Sequence, residues 1–134
     1  MADSLLFYND AMSKVLVIDD ERDIVDMIET LLELDFDAEV VKAYNGQEGL
    51  DALASGEVFD LIISDVNMPI LKGPEVFKQN STGGNFPFVL MTGSDDLEQA
   101  FLSEFNSANP NNSVITKPWD QDEFLRTMKK ILAA

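Results

Sequence analysis

The chain has 134 residues, 46% of them hydrophobic, which suffices for one domain with one sizeable core and not for two. A formal net charge of −16 disfavours direct contact with nucleic acid or anionic lipid, and the lack of Cys and His removes disulfides, thiolate or imidazole metal sites and every Ser-His-Asp arrangement. Covalent chemistry in this chain falls to Asp, Ser, Thr or Lys. The longest apolar runs, such as Val15 to Ile18 and Phe86 to Met91, fall far short of the roughly 20 residues of a membrane-spanning helix, and the amino terminus has no secretory pattern. The expectation is a single cytoplasmic domain over residues 1–134, with an ordered core near 13–133 and an extension over 1–12.

Lys14 to Asp19 is a short apolar run ending abruptly in acid, the pattern of a strand buried on both faces. Ile24, Met27, Ile28, Leu31 and Leu32 then recur at helical period, which predicts a helix from Glu21 to about Asp35. Glu39 to Ala43 reads as a second strand. Asn45 with Glu48 three residues on predicts a capped second helix to about Ser55, with Leu50, Leu53 and Ala54 inward. Asp60 to Asp65 is another buried strand, and Val66-Asn-Met-Pro69 breaks it into a loop.

Gly73-Pro74 suits the first turn of a third helix, which Ser81 to Asn85 ends. Phe86 to Thr92 is the fourth strand. Ser94 is placed to cap a fourth helix over Asp95 to Phe105, with Leu97, Phe101, Leu102 and Phe105 inside, and the polar run Asn106 to Asn112 reads as a mobile loop. Ser113 to Thr116 gives a fifth strand. Asp120 and Glu123 form a capping pair for a last helix whose core face is Phe124, Leu125, Met128, Ile131 and Leu132.

Five strands alternating with five helices imply βα units, a parallel sheet and right-handed crossovers that put helices on both faces: an α/β, doubly wound fold. Functional groups of such sheets gather beyond the carboxyl ends of the strands. Asp19 and Asp20, Asp65, Thr92 and Lys117 all sit at such ends. Three carboxylates in one crevice repel, by roughly 4 kcal/mol for a pair about 4 Å apart at an effective dielectric near 20, so a cation is required. Mg²⁺ suits an all-oxygen site, Lys117 supplies a second positive charge, and a carboxylate so placed can attack phosphorus. Ten of the 25 acids lie between Asp19 and Glu39 with Arg22 as the only cation, which reads as a solvated helix face or as a docking surface for a basic partner.

Val17-Ile-Asp-Asp20, Ser64-Asp-Val-Asn-Met-Pro69, Met91-Thr-Gly93 and Thr116-Lys-Pro118 together resemble the receiver domains of response regulators, of the chemotaxis-regulator type, in the right order over nearly the whole chain. The resemblance implies a flavodoxin-like sheet of order 2-1-3-4-5, a strand order taken from that class of fold and not from these residues. It implies that Asp65 accepts a phosphoryl group from a sensor histidine kinase or histidine phosphotransfer protein. Asp20, Asp65 and the backbone carbonyl of Asn67 would hold Mg²⁺, with Asp19 positioning it through water. Thr92 and Lys117 would contact the phosphoryl oxygens, Lys117 pairing with Asp65 beforehand, and a cis bond before Pro118 would aim the lysine inward.

A stand-alone receiver of this kind would phosphorylate itself from its donor, lose the phosphoryl group slowly, turn over no external substrate, and signal through a downstream protein effector with no direct contact to nucleic acid or membrane.

Two features depart from the family pattern. Many receivers carry an aromatic three residues before the strand-five lysine, where this chain has Val114, and the stretches around the fourth helix differ in length. Two other functions are distinguishable. Phosphatases of the haloacid dehalogenase type also use a strand-end Asp with Mg²⁺, but want a second Asp where Asn67 stands. A phosphate-independent adaptor would keep the fold without needing the five chemical positions.

Overall fold

The computed structural model describes residues 12–93 and 97–132. In chain order its elements are β1 (Lys14–Ile18), α1 (Arg22–Phe36), β2 (Glu39–Ala43), α2 (Gly46–Ala54), β3 (Leu61–Asp65), α3 (Gly73–Thr82), β4 (Phe88–Thr92), α4 (Gln99–Ala108), β5 (Ser113–Thr116) and α5 (Gln121–Leu132). The five strands form one parallel sheet in the order β2-β1-β3-β4-β5, as the resemblance implies. Alternation along each strand splits the core into two layers. Val15, Val17, Leu61, Ile63, Val89 and Met91 face α1 and α5, whereas Leu16, Ile18, Ile62, Phe88 and Leu90 face α2, α3 and α4.

The helices follow the expected stripes with instructive exceptions. In α1 the fully buried residues are Val25, Ile28 and Leu32, while Met27, expected inside, is 44% exposed. At 3.6 residues per turn Met27 lies roughly a third of a turn from the centre of that stripe, so it falls on its edge. Asn45 caps α2 by accepting from the Glu48 N–H at 2.8 Å, and the Glu48 carboxylate accepts from Tyr44 N–H at 2.8 Å. Ala54, expected inward, is exposed at the end of this helix. The close approach of α2 is made by glycine instead: a Cβ on Gly49 would come within 2.6 Å of Ile18 Cδ1.

Helix α4 starts at Gln99 and runs to Ala108, later at both ends than expected; the proposed Ser94 cap and residues 1–11 of the proposed extension lie outside the described residues. Its inner face carries an aromatic cluster in which Phe77 meets Phe88, Phe101 and Phe105 edge-on at centroid separations of 5.8, 5.6 and 5.0 Å.

The polar segment expected to be a mobile loop is instead a hydrogen-bonded frame at the amino ends of β4 and β5. Asn112, buried, accepts from Phe88 N–H at 2.9 Å and donates to Phe105 O at 2.8 Å, tying α4 to the start of β4. Asn80 does the same for α3, donating to Phe86 O and accepting from Phe86 N–H, both at 3.0 Å. Asn85 and Asn109 cross-link the two sides. Removing the amide at Asn112 strands a buried N–H and a buried carbonyl, so Asn112→Ala is expected to lower the unfolding free energy by about 2–4 kcal/mol in urea titrations, with an unchanged m-value.

Candidate functional site

The carboxyl ends of β1, β3, β4 and β5 converge on one pocket. Asp19 follows β1 and is fully buried, with its N–H bonded to Ala43 O at 3.1 Å. Asp65 ends β3, pairs in register with Met91 of β4, and is 7% exposed. Thr92, 5% exposed, lies one residue farther along β4. Lys117 follows β5; its N–H donates to Thr92 O at 2.7 Å, and the Lys117–Pro118 peptide is cis, as the resemblance implies. Asp20, Asn67 and Gly93 are exposed at the mouth.

One ligand oxygen from each of Asp19, Asp20 and Asp65 can be chosen such that all three lie within 4.8 Å of one another. Against this acid the Lys117 ammonium stands 2.8 Å from Asp19 Oδ2 and 3.5 Å from Asp65 Oδ1. The expected partner of the lysine was Asp65. It sits closer to Asp19 because Asp19 is the deepest of the acids and is fixed from the other side, its Oδ1 accepting from Glu21 N–H at 2.9 Å.

Burial pulls the Lys117 amine down, but its bond to Asp19 and the charges of Asp19, Asp65 and Glu21 outweigh burial and raise it overall. Asp65 is less well compensated. Burial, then the charge of Asp19, pushes its carboxyl from 3.8 up to about 6, with Asp20 adding to the rise and Lys117 opposing it. The donor set is all oxygen, clustered, and open to solvent through Asp20, which fits a hard divalent cation.

Sequence reasoning did not reveal how tightly the loop after Asp65 is held. Gly73 N–H closes it by donating to Val66 O at 2.9 Å, and a Cβ on Gly73 would come within 2.4 Å of the Asp65 carbonyl oxygen. Leu71 lies on α2, where a Cβ on Gly46 would come within 2.5 Å of Leu71 Cβ. Ser64, buried beside the acid, donates to Asp65 O at 3.0 Å. Gly73-Pro74, which suits a helix start, is the sequence signal for the first contact; no pattern in the sequence announces the others.

The elevated Asp65 carboxyl sets a stability profile. Because the folded value of about 6 exceeds the unfolded value near 3.8, native protein binds the proton more tightly: the cost of ionising Asp65 is absent below pH 3.8, grows as pH rises, and is complete above 6. It amounts to about 3 kcal/mol. Asp65→Asn in chelator is therefore expected to be more stable than wild type at pH 7 by up to about 3 kcal/mol, the two converging as pH falls toward 4, in parallel denaturant titrations.

The family model described as the response regulator receiver domain matches residues 15–129. The chain is 33% identical over 123 residues to the transcriptional regulatory protein CpxR homolog of Haemophilus influenzae, covering 90% of this chain and 51% of that protein. It thus spans about half the length of the curated relatives it matches. Among solved structures it is similar to the chemotaxis response regulator CheY4 of Vibrio cholerae, with a TM-score of 0.72 and 32% identity over 90% of this chain and 98% of that one. It is also similar to a response regulator receiver domain protein from Clostridium thermocellum, with a TM-score of 0.76 and 28% identity over 91% and 95%. No helix among the described residues is long and apolar enough to cross a membrane. With the fold, the strand-end acids and the matched residues in agreement, this chain belongs to the response regulator receiver family of two-component signalling.

Proposed function

We propose that Asp65 accepts a phosphoryl group from a phosphohistidine, carried by a sensor histidine kinase or histidine phosphotransfer protein, in a reaction that requires Mg²⁺. The observation that carries this reading is the pocket itself: a buried strand-end carboxylate 3.5 Å from an ammonium, with two further carboxylates within metal-sharing distance. Asp20, Asp65 and the Asn67 carbonyl would hold the ion, with Asp19 acting through water. When bound, the ion offsets negative charge on the carboxylates and on the incoming phosphoryl oxygens.

The chain's own groups account for the rest. An Asp65 oxygen forms the new P–O bond while the P–N bond to the donor imidazole breaks and its electron pair stays on the ring nitrogen. Burial and the closed loop between Val66 and Gly73 fix the attacking oxygen, which leaves the donor to supply alignment. The acceptor then carries roughly −1.5 to −2 charge, and Lys117 and the Thr92 hydroxyl are the groups placed to meet it. Moving Lys117 toward the phosphoryl group lengthens its bond to Asp19, which links acceptor chemistry to β5.

The downstream reader is a protein effector, and its surface must accommodate an unusual β5. Val114 pairs with Leu90 on the α4 side of the sheet and is 38% exposed, so no aromatic ring there follows Thr92 inward. A cation-dependent transfer distinguishes this reading from a binding-only adaptor. Phosphoramidate with Mg²⁺ is expected to add one phosphoryl group to wild type by intact mass, with none on Asp65→Asn and none in chelator. Mg²⁺ alone is expected to raise the melting temperature of wild type, since binding to the native state stabilises it by mass action. Equal labelling of Asp65→Asn removes the acceptor assignment.

A further inference from the structure

We propose that Ser64 is a positioning residue for phosphoryl transfer, its hydroxyl tethering the backbone carbonyl of Asp65 and so fixing where the attacking carboxylate points; this rests on Asp65 being the acceptor. Ser64 is fully buried in the middle of the sheet, in register with Ile18 of β1 and Leu90 of β4. By alternation from Ile62 it faces the same apolar layer as those two residues. A valine would suit that place better on two counts, strand preference and the cost of burying a hydroxyl. The hydroxyl has a use there: it donates to Asp65 O at 3.0 Å.

That carbonyl needs a donor the sheet does not provide. The β1–β3 register ends at Ile18 and Ser64, one residue short of Asp65, so Asp65 O lies beyond the last rung. Its flank toward α3 is closed, since a Cβ on Gly73 would come within 2.4 Å of this oxygen and 2.9 Å of Leu90 Cδ2, which leaves no space for a side chain or a solvent molecule between them. A buried carbonyl in that position is costly unless it is bonded, and Ser64 supplies the bond from within the strand.

The consequence is one of aim. Asp65 C=O and Val66 N–H belong to a single planar peptide and point in opposite directions. Val66 N–H is held by Met91 O at 2.9 Å and Asp65 O by Ser64 Oγ at 3.0 Å, so this peptide is pinned at both ends. Release of the Ser64 end lets the plane rock about the Met91 end, and the Asp65 side chain moves with it. The bond is to backbone and not to the carboxylate, so it acts on the orientation of Asp65 and leaves its charge alone.

The test compares Ser64→Thr with Ser64→Val, which add the same volume and differ in the hydroxyl, and includes Ser64→Ala, which removes the hydroxyl and adds nothing. Labelling by phosphoramidate in saturating Mg²⁺ is followed by intact mass over a range of donor concentrations, below the melting temperature of every variant, to give a maximal rate and a half-saturating concentration. A reacting group misplaced by about 1 Å can cost roughly 100-fold. Ser64→Val and Ser64→Ala are expected to lower the maximal rate at least about tenfold with the half-saturating concentration within about twofold, whereas Ser64→Thr stays within about threefold of wild type. Equal rates in the Thr and Val variants, a wild-type rate in Ser64→Ala, or a loss carried by the half-saturating concentration alone overturns the proposal. Should the added methyl prevent Thr and Val from folding, Ser64→Ala decides by the same two readouts. Failure of phosphoramidate to label wild type, or equal labelling of Asp65→Asn, instead removes the reading of Asp65 as acceptor.

Discussion

One ammonium against three carboxylates is the constraint on which the site depends. The Lys117–Asp19 ion pair, 2.8 Å long and joining residues 98 apart in the chain, places an ammonium at the centre of the pocket and gives most of it to the deepest acid. Asp65 receives what is left, at 3.5 Å. Burial first, and then the charge of Asp19, displace its carboxyl to about 6, a group that a divalent cation would return to its ionised form. The clustered negative charge that makes the metal-free pocket unfavourable is also what suits it to a divalent cation.

The fold supplies this arrangement by ordinary means. Parallel strands buried on both faces are mostly apolar and give way to polar residues at or just past their carboxyl ends, so these polar residues emerge together at one rim. At that rim glycine allows close approach: Gly46 lets α2 support Leu71, and Gly73 lets α3 press against the backbone of Asp65. The opposite rim is held differently, by asparagine amides that satisfy strand ends left without sheet partners.

Much of this was legible in the sequence, for reasons specific to each residue. Asp19 and Asp65 are legible because an acid that closes a short run of apolar strand residues marks a strand terminus, and Asn45 because its cap geometry is local. The role of Asn112 is not legible because its two partners, Phe88 and Phe105, lie in other elements, and polar composition alone does not distinguish a solvated loop from a satisfied frame. Met27 was misplaced because a periodic stripe has edges that only the packed neighbour defines. The preference of Lys117 for Asp19 was invisible for a related reason: it depends on relative depth, which pattern does not encode. The φ of +73° at Ile70 has no signal at all, since an isoleucine after proline does not suggest a left-handed turn.

The most direct measurement of the central claim is a ¹³C-detected NMR titration of the Asp65 side-chain carboxyl with and without Mg²⁺. Burial of Asp65 together with the neighbouring charge of Asp19 predicts a midpoint near pH 6 in chelator that moves well down the pH scale when the ion is added. A midpoint in the ordinary carboxylate range without metal, or one that Mg²⁺ leaves in place, would contradict it.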